Sequence, residues 1–92
     1  MTKKVIIKSI DRKIGQSNRF VEYEYSPVRE GIQTIQMACL AHENIKFKIS
    51  KIKTKKAALI FTGTEDAIDA LFTMLALTDF ADKYTWRFCF FH

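Results

Sequence analysis

Hydrophobic and polar positions recur along this chain with two different periods, and the changes of period divide it into elements. KVIIKSI, residues 4–10, is short, β-branched and apolar, which predicts a strand. DRKIGQSN, residues 11–18, gathers turn formers and a glycine and reads as a loop. RFVEYEY, residues 19–25, sets Arg19, Val21, Tyr23 and Tyr25 against Phe20, Glu22 and Glu24, the alternation of a half-buried strand expected to pair with the first.

Ser26-Pro27 then has the form of a helix start, with serine as N-cap and proline in the first turn. Val28, Ile32, Ile35 and Cys39 follow at one helical face, so the pattern predicts a helix over residues 27–42. Gly31 weakens that helix. A rival reading makes GIQTIQMACLA a strand, because Ile35, Met37 and Cys39 also alternate.

IKFKI, residues 45–49, is a strand with Ile45, Phe47 and Ile49 inward and Lys46 and Lys48 outward. After Ser50 the phase flips, because Ile52 is even-numbered while Lys51, Lys53 and Lys55 are odd. Side chains alternate strictly in a strand, so the slip requires a bulge or a turn. KTKK is expected at an exposed hairpin end, and AALIFTG, residues 57–63, as the returning strand. A second helix follows, with Thr62 and Glu65 as a capping box and Ile68, Leu71, Phe72 and Leu75 as its core stripe, ending near Lys83. YTWRFCFF, residues 84–91, is the last strand. It is apolar on both faces and so expected at the centre of a sheet or covered on both sides.

The order ββαββαβ predicts an α+β two-layer sandwich: one domain over residues 1–92, a mostly antiparallel sheet, and two helices on one face. The longest mostly apolar window, residues 67–80, is interrupted by Asp69, Thr73, Thr78 and Asp79 and is too short and polar to span a bilayer. The N-terminal residues lack the long apolar core of a signal peptide. Two cysteines make no disulfide framework, and the expected setting is the reducing cytoplasm. Abundant Lys, Ile and Phe fit an AT-rich genome such as that of a phage or a low-GC bacterium.

Charge changes the picture more than composition does. The net charge is +5, but residues 1–56 carry +8 and residues 57–92 carry −3, which implies one basic face able to attract a polyanion. The cations expected there are Lys46, Lys48, Lys51, Lys53, Lys55 and Lys56 of the lysine-rich hairpin, extended by Lys3, Lys4, Lys8, Arg12 and Lys13. Phe20, Tyr23, Tyr25 and Trp86 are available to stack on bases, although aromatics in alternating strands more often pack inside. Lysine contacts track phosphates and do not read bases.

Catalytic signatures are missing. FTGTED is neither a P-loop nor a dinucleotide fingerprint, and there is no nucleophile elbow or Ser/His/Asp set. The carboxylate pairs Glu22/Glu24 and Asp79/Asp82 have no apolar shielding and read as solvated. Cys39-Leu-Ala-His42 and Cys89-Phe-Phe-His92 together supply the two Cys and two His of a tetrahedral zinc site. The competing reading makes the cysteines small core residues and the histidines chain-end groups. No cofactor is expected.

The pattern therefore predicts a small, non-enzymatic, basic protein that binds RNA or another polyanion. The alternative is an inhibitor of a host nuclease or toxin, with RNA as a bridge. Met74, Leu77 and Phe80 fall off the core stripe of the second helix and are expected to bury a homodimer interface.

Overall fold

A computed structural model describes residues 2–42 and 44–89. Its elements are β1 (Thr2–Ser9), β2 (Arg12–Gln16), β3 (Val21–Glu24), α1 (Val28–Cys39), β4 (Lys46–Ile52), β5 (Lys56–Thr62), α2 (Glu65–Leu75), α3 (Phe80–Lys83) and β6 (Tyr84–Cys89). Four strands form one antiparallel sheet in the order β4-β5-β1-β6, and β2 and β3 form a separate hairpin. The fold is the expected two-layer α+β arrangement, with the helices on one face of the four-stranded sheet.

The core lies between that face and the helices. Val5 and Ile7 of β1, Leu59 and Phe61 of β5, Val28, Ile32 and Ile35 of α1, and Ile68, Leu71 and Leu75 of α2 are all buried. An aromatic chain ties the layers together. Phe47 stacks on Phe61 at 5.2 Å, Phe61 meets Phe72 edge-on at 5.4 Å, and Phe72 contacts Phe88 and Trp86 at 5.2 and 5.7 Å. Phe80 continues it to Trp86 and Tyr84.

Residues 28–39 are helical, which decides between the two readings of this segment. Ile35 is fully buried while Met37 is 68% exposed, a split that helical periodicity produces and strand alternation does not. The helix starts at Val28, one residue later than expected. Pro27 occupies the cap position, and no side chain caps the helix. Ser26 instead offers its carbonyl to the Ser9 hydroxyl at 2.6 Å. Gly31 has a steric reason: a Cβ there would lie 2.8 Å from Cζ of Tyr84, whose ring packs flat against the helix. The Tyr84 hydroxyl donates to the Pro27 carbonyl at 2.8 Å, which pins that ring. Burial, and then the Glu30 carboxylate, push this hydroxyl's pKa up.

Five expectations are corrected. Residues 11–18 contain the strand β2, and β3 pairs with β2, not with β1, whose neighbours are β5 and β6. The α2 cap is Thr64, whose hydroxyl accepts from the Ala67 amide at 3.2 Å, because Thr62 still belongs to the β5 ladder opposite Lys46. α2 does not run on to Lys83. The Thr78 hydroxyl donates to the Leu75 carbonyl at 2.8 Å and accepts from the Phe80 amide at 3.3 Å, so a side chain competes with the helical ladder and the chain restarts as α3. Finally, β6 is an edge strand of the sheet, not a central one. Phe90 and Phe91, which contributed to its two-sided apolar pattern, and His92 lie outside the described residues.

The molecule measures 51 × 26 × 17 Å. Its radius of gyration is 14.7 Å, against about 12 Å for a compact chain of this length. The β2–β3 hairpin is the part not packed into the body: every one of its strand residues except Gly15 is exposed. Below we call it the arm.

Candidate functional site

Strand alternation assigns the other face of the four-stranded sheet. Val5 and Ile7 point to the helices, so Lys4, Ile6 and Lys8 point away; Leu59 and Phe61 point in, so Lys56, Ala58, Ile60 and Thr62 point away. On β6 the inward residues are Tyr84, Trp86 and Phe88, and the outward ones Thr85, Arg87 and Cys89. β4 contributes Lys46 and Lys48. Its register then shifts between Ile49 and Lys51, where the hydrophobic phase of the sequence requires a slip. The bulge at Ser50 keeps Ile52 on the helix side opposite Ala57 and turns Lys51 outward opposite Ala58. Without it Lys51 would face the helices.

The registers place these residues in rows across the sheet. One row runs Lys48, Ile60, Lys4, Cys89, and the next Lys51, Ala58, Ile6, Arg87. In the last row Lys56 stands directly opposite Lys8, with Thr85 beyond. Among the described residues this face carries Lys4, Lys8, Lys46, Lys48, Lys51, Lys56 and Arg87 and no aspartate or glutamate. The ion pairs among the described residues all lie elsewhere, at Lys3 and Lys55. Like charges directly opposite on neighbouring strands repel, so the Lys8–Lys56 pair is a local cost that no ion pair among the described residues offsets.

Six of the eleven cations singled out in the sequence therefore share one surface: Lys4, Lys8, Lys46, Lys48, Lys51 and Lys56. Lys53, at the start of the β4–β5 turn, borders the same surface, lining a shallow depression with Lys4, Ile6, Lys51 and Lys56. Four lie apart. Lys3 is on the covered face, 8% exposed, 3.3 Å from Asp69, 3.8 Å from Glu65 and over the Phe88 ring at 4.4 Å. Lys55 holds the two roots of the arm, pairing with Asp11 at 3.0 Å and lying 4.3 Å above the Tyr25 ring. Arg12 faces Glu24 on the arm, and Lys13 donates to the Gln16 side chain at 2.6 Å. Arg87 is the cation that sequence reasoning missed. It sits in an otherwise acidic C-terminal stretch, and its signal is its alternation with Trp86 and Phe88.

Of the aromatics considered for base stacking, none is on the basic face. Phe20, Tyr23 and Tyr25 are on or beside the arm, and Trp86 belongs to the aromatic chain on the helix side. The carboxylates Glu22 and Glu24 are exposed on the arm, and Asp79 and Asp82 are exposed beside α3. Cys39 packs against the core on the helix side, where burial pushes its thiol pKa up, whereas Cys89 is on the opposite face beside Lys4. The sheet separates the two cysteines. His42 follows α1, and His92 lies outside the described residues. Among the described residues no three His, Cys, Asp or Glu side chains gather as a metal site.

The expected dimer surface is also revised. Met74 is 42% and Leu77 85% exposed, but Phe80 is only 3% exposed, because the break after α2 turns it into the core. The larger exposed apolar group is on or beside the arm: Ile14, Phe20, Val21, Tyr23 and Tyr25. No helix is long and apolar enough to cross a membrane. Comparison with family models, with curated proteins and with solved structures returns no match.

Proposed function

We propose that this protein binds nucleic acid, RNA in preference to DNA, through the helix-free face of its four-stranded sheet. The observation that carries the reading is the composition of that face: cations from all four strands and no carboxylate among the described residues. Such a surface concentrates positive potential where no carboxylate among the described residues neutralises it, and a polyanion gains affinity by releasing counterions there. The contacts are to phosphates, so binding is weakly sequence-selective. No step of covalent chemistry is part of this function, and its setting is the cytoplasm.

Fluorescence anisotropy against a labelled RNA, titrated between about 50 and 200 mM salt, tests it. Each lysine removed from a phosphate contact lowers the log–log salt slope by about 0.7–0.9. Lys48→Gln with Lys51→Gln and Lys56→Gln is expected to flatten the slope and weaken binding. A slope unchanged by that triple variant refutes the reading.

A second reading rests on the arm. A two-stranded hairpin is marginal in water without a packing partner, and this one exposes Ile14, Val21 and Tyr23. A second copy of the chain is the simplest cover, through a two-fold, self-complementary contact of arm with arm. Light scattering separates this from the inhibitor alternative. Twice 10.7 kDa, reduced to 10.7 kDa by Tyr23→Lys, supports the homodimer. A constant 10.7 kDa leaves the arm for a different protein, such as a nuclease or toxin that handles RNA.

A further inference from the structure

We propose that the nucleic acid held on the basic face is double-stranded RNA, gripped by two rows of cations that straddle one groove; this inference rests on the polyanion reading above. The first row is Lys46, Lys48 and Lys51 along the edge strand β4. The second is Lys4, Lys8 and Arg87 on β1 and β6. Between them β5 presents Thr62, Ile60 and Ala58, an uncharged strip closed at its far end by Lys56 opposite Lys8. Neighbouring strands lie about 4.8 Å apart, so Lys48 and Lys4 are separated across Ile60 by roughly 10 Å, and Lys51 and Arg87 by roughly 14 Å. One phosphate backbone occupies one row. Filling both requires two backbones at groove spacing, which a duplex supplies and a single strand does not.

The middle of the face argues the same way. A sheet that binds single strands stacks unpaired bases on aromatic side chains. Here the positions on the two central strands are Ala58, Ile60 and Ile6, with Cys89 beside them on the edge strand, and none offers a ring. Nor does the face carry an asparagine, glutamine or carboxylate to read base edges; its uncharged polar groups are the hydroxyls of Thr2, Thr62 and Thr85 among the described residues. A duplex keeps its bases stacked and shows the protein its backbones. The choice of RNA follows from shape. The minor groove of B-DNA is about 6 Å wide, too narrow for the rows to straddle, and its major groove is about 8.5 Å deep and admits a two-stranded ribbon, not a four-stranded sheet. The minor groove of an A-form duplex is wide and shallow and lines its floor with 2′-hydroxyls. A sheet face resting on its two rims brings the β5 strip close to that floor.

The test compares one mixed sequence of about 16 base pairs as duplex RNA, as duplex DNA and as single-stranded RNA, by anisotropy at matched salt. Duplex RNA is expected to bind at least about tenfold tighter than either competitor, at salt where phosphate contacts dominate. Lys46→Gln/Lys48→Gln/Lys51→Gln and Lys4→Gln/Lys8→Gln/Arg87→Gln are each expected to lower the duplex salt slope by about 2–3, with Lys3→Gln as the unchanged control. Single-stranded RNA bound as tightly as duplex, or a slope that responds to only one row, overturns the two-row inference while leaving polyanion binding standing. Duplex DNA bound as tightly as duplex RNA overturns the choice of RNA. Salt-independent or absent binding of all three overturns the polyanion reading itself.

Discussion

Lys3 and Lys4 are neighbours in the chain and have opposite surroundings. Lys3 faces the helices, almost fully buried, held by Asp69 and Glu65 and lying over Phe88. Lys4 faces away, between Ile60 and Cys89, with no carboxylate within ion-pair distance among the described residues. The same contrast holds for the whole sheet. Among the described residues its covered side is aliphatic and aromatic, with the buried charge of Lys3 paired, and its open side is cationic with no ion pair, down to two lysines set directly opposite each other. Burial explains the first arrangement, because a charge taken from water must be partnered. Nothing among the described residues explains the second, and that asymmetry makes the open side the candidate for recognition.

The comparison breaks most severely at the centre of the covered side. Phe61 is fully buried and contacts both Phe47 and Phe72. Phe61→Ala is expected to cost about 3–5 kcal/mol of stability through lost burial and the cavity left behind. Ile60, the preceding residue on the open side, is expected to cost no more than about 1 kcal/mol when changed to Ala, mainly in strand preference. Urea unfolding of the two variants measures the difference. Equal losses would mean that the open side is packed against something in the free protein.

Gly31 sharpens the description of the covered side. On an exposed helix Gly→Ala gains about 1 kcal/mol. Here the new Cβ would fall 2.8 Å from a ring whose hydroxyl is already bonded to Pro27, so the ring has little room to retreat. Overpacking costs about 1–3 kcal/mol and is expected to win. A lower thermal midpoint for Gly31→Ala checks it, and Gly31→Ala in a Tyr84→Leu background should recover part of the loss.

The adjacent lysines then give a double dissociation. Lys3→Gln is expected to lower stability by about 1 kcal/mol, the scale of a lost charged hydrogen bond with partners that are half exposed, and to leave RNA affinity unchanged. Lys4→Gln is expected to leave stability within about 0.5 kcal/mol and to weaken RNA binding. Thermal melts and anisotropy on the same two variants read both effects. A common effect of the pair on RNA binding would erase the distinction between the faces.

What the sequence discloses follows from the range over which each cause acts. The bulge at Ser50 is legible because a change of hydrophobic phase is local and admits few solutions. The core stripe of α2 is legible for the same reason. The strand β2 is not, because RKIGQ has no apolar alternation and is stabilised by its partner β3, not by a core. The inward turn of Phe80 depends on two hydrogen bonds of the Thr78 hydroxyl, which no periodicity records. Half of the basic face could be gathered from the lysine-rich hairpin alone. Excluding Lys3 and Lys55 and admitting Arg87 needed the strand order, because only the registers say which side of the sheet each residue occupies.

The smallest expected effect is the most discriminating, because its two readouts should move in opposite directions. Lys8 and Lys56 are direct cross-strand partners on the open face. Opposed like charges are destabilising and opposite charges stabilising, by roughly 0.2–1 kcal/mol for such a pair. Lys8→Glu converts repulsion into attraction and is expected to raise the melting temperature by a few degrees. It also places a carboxylate inside the second cationic row, so RNA binding should fall more than it does in Lys8→Gln. A residue that lowers stability where it stands and raises affinity for a ligand is placed for the ligand, since proteins commonly give up stability at functional sites. Melting temperature and RNA affinity that both fall in Lys8→Glu would mean that Lys8 serves the fold, and the open side would lose its strongest claim to be different from the covered one.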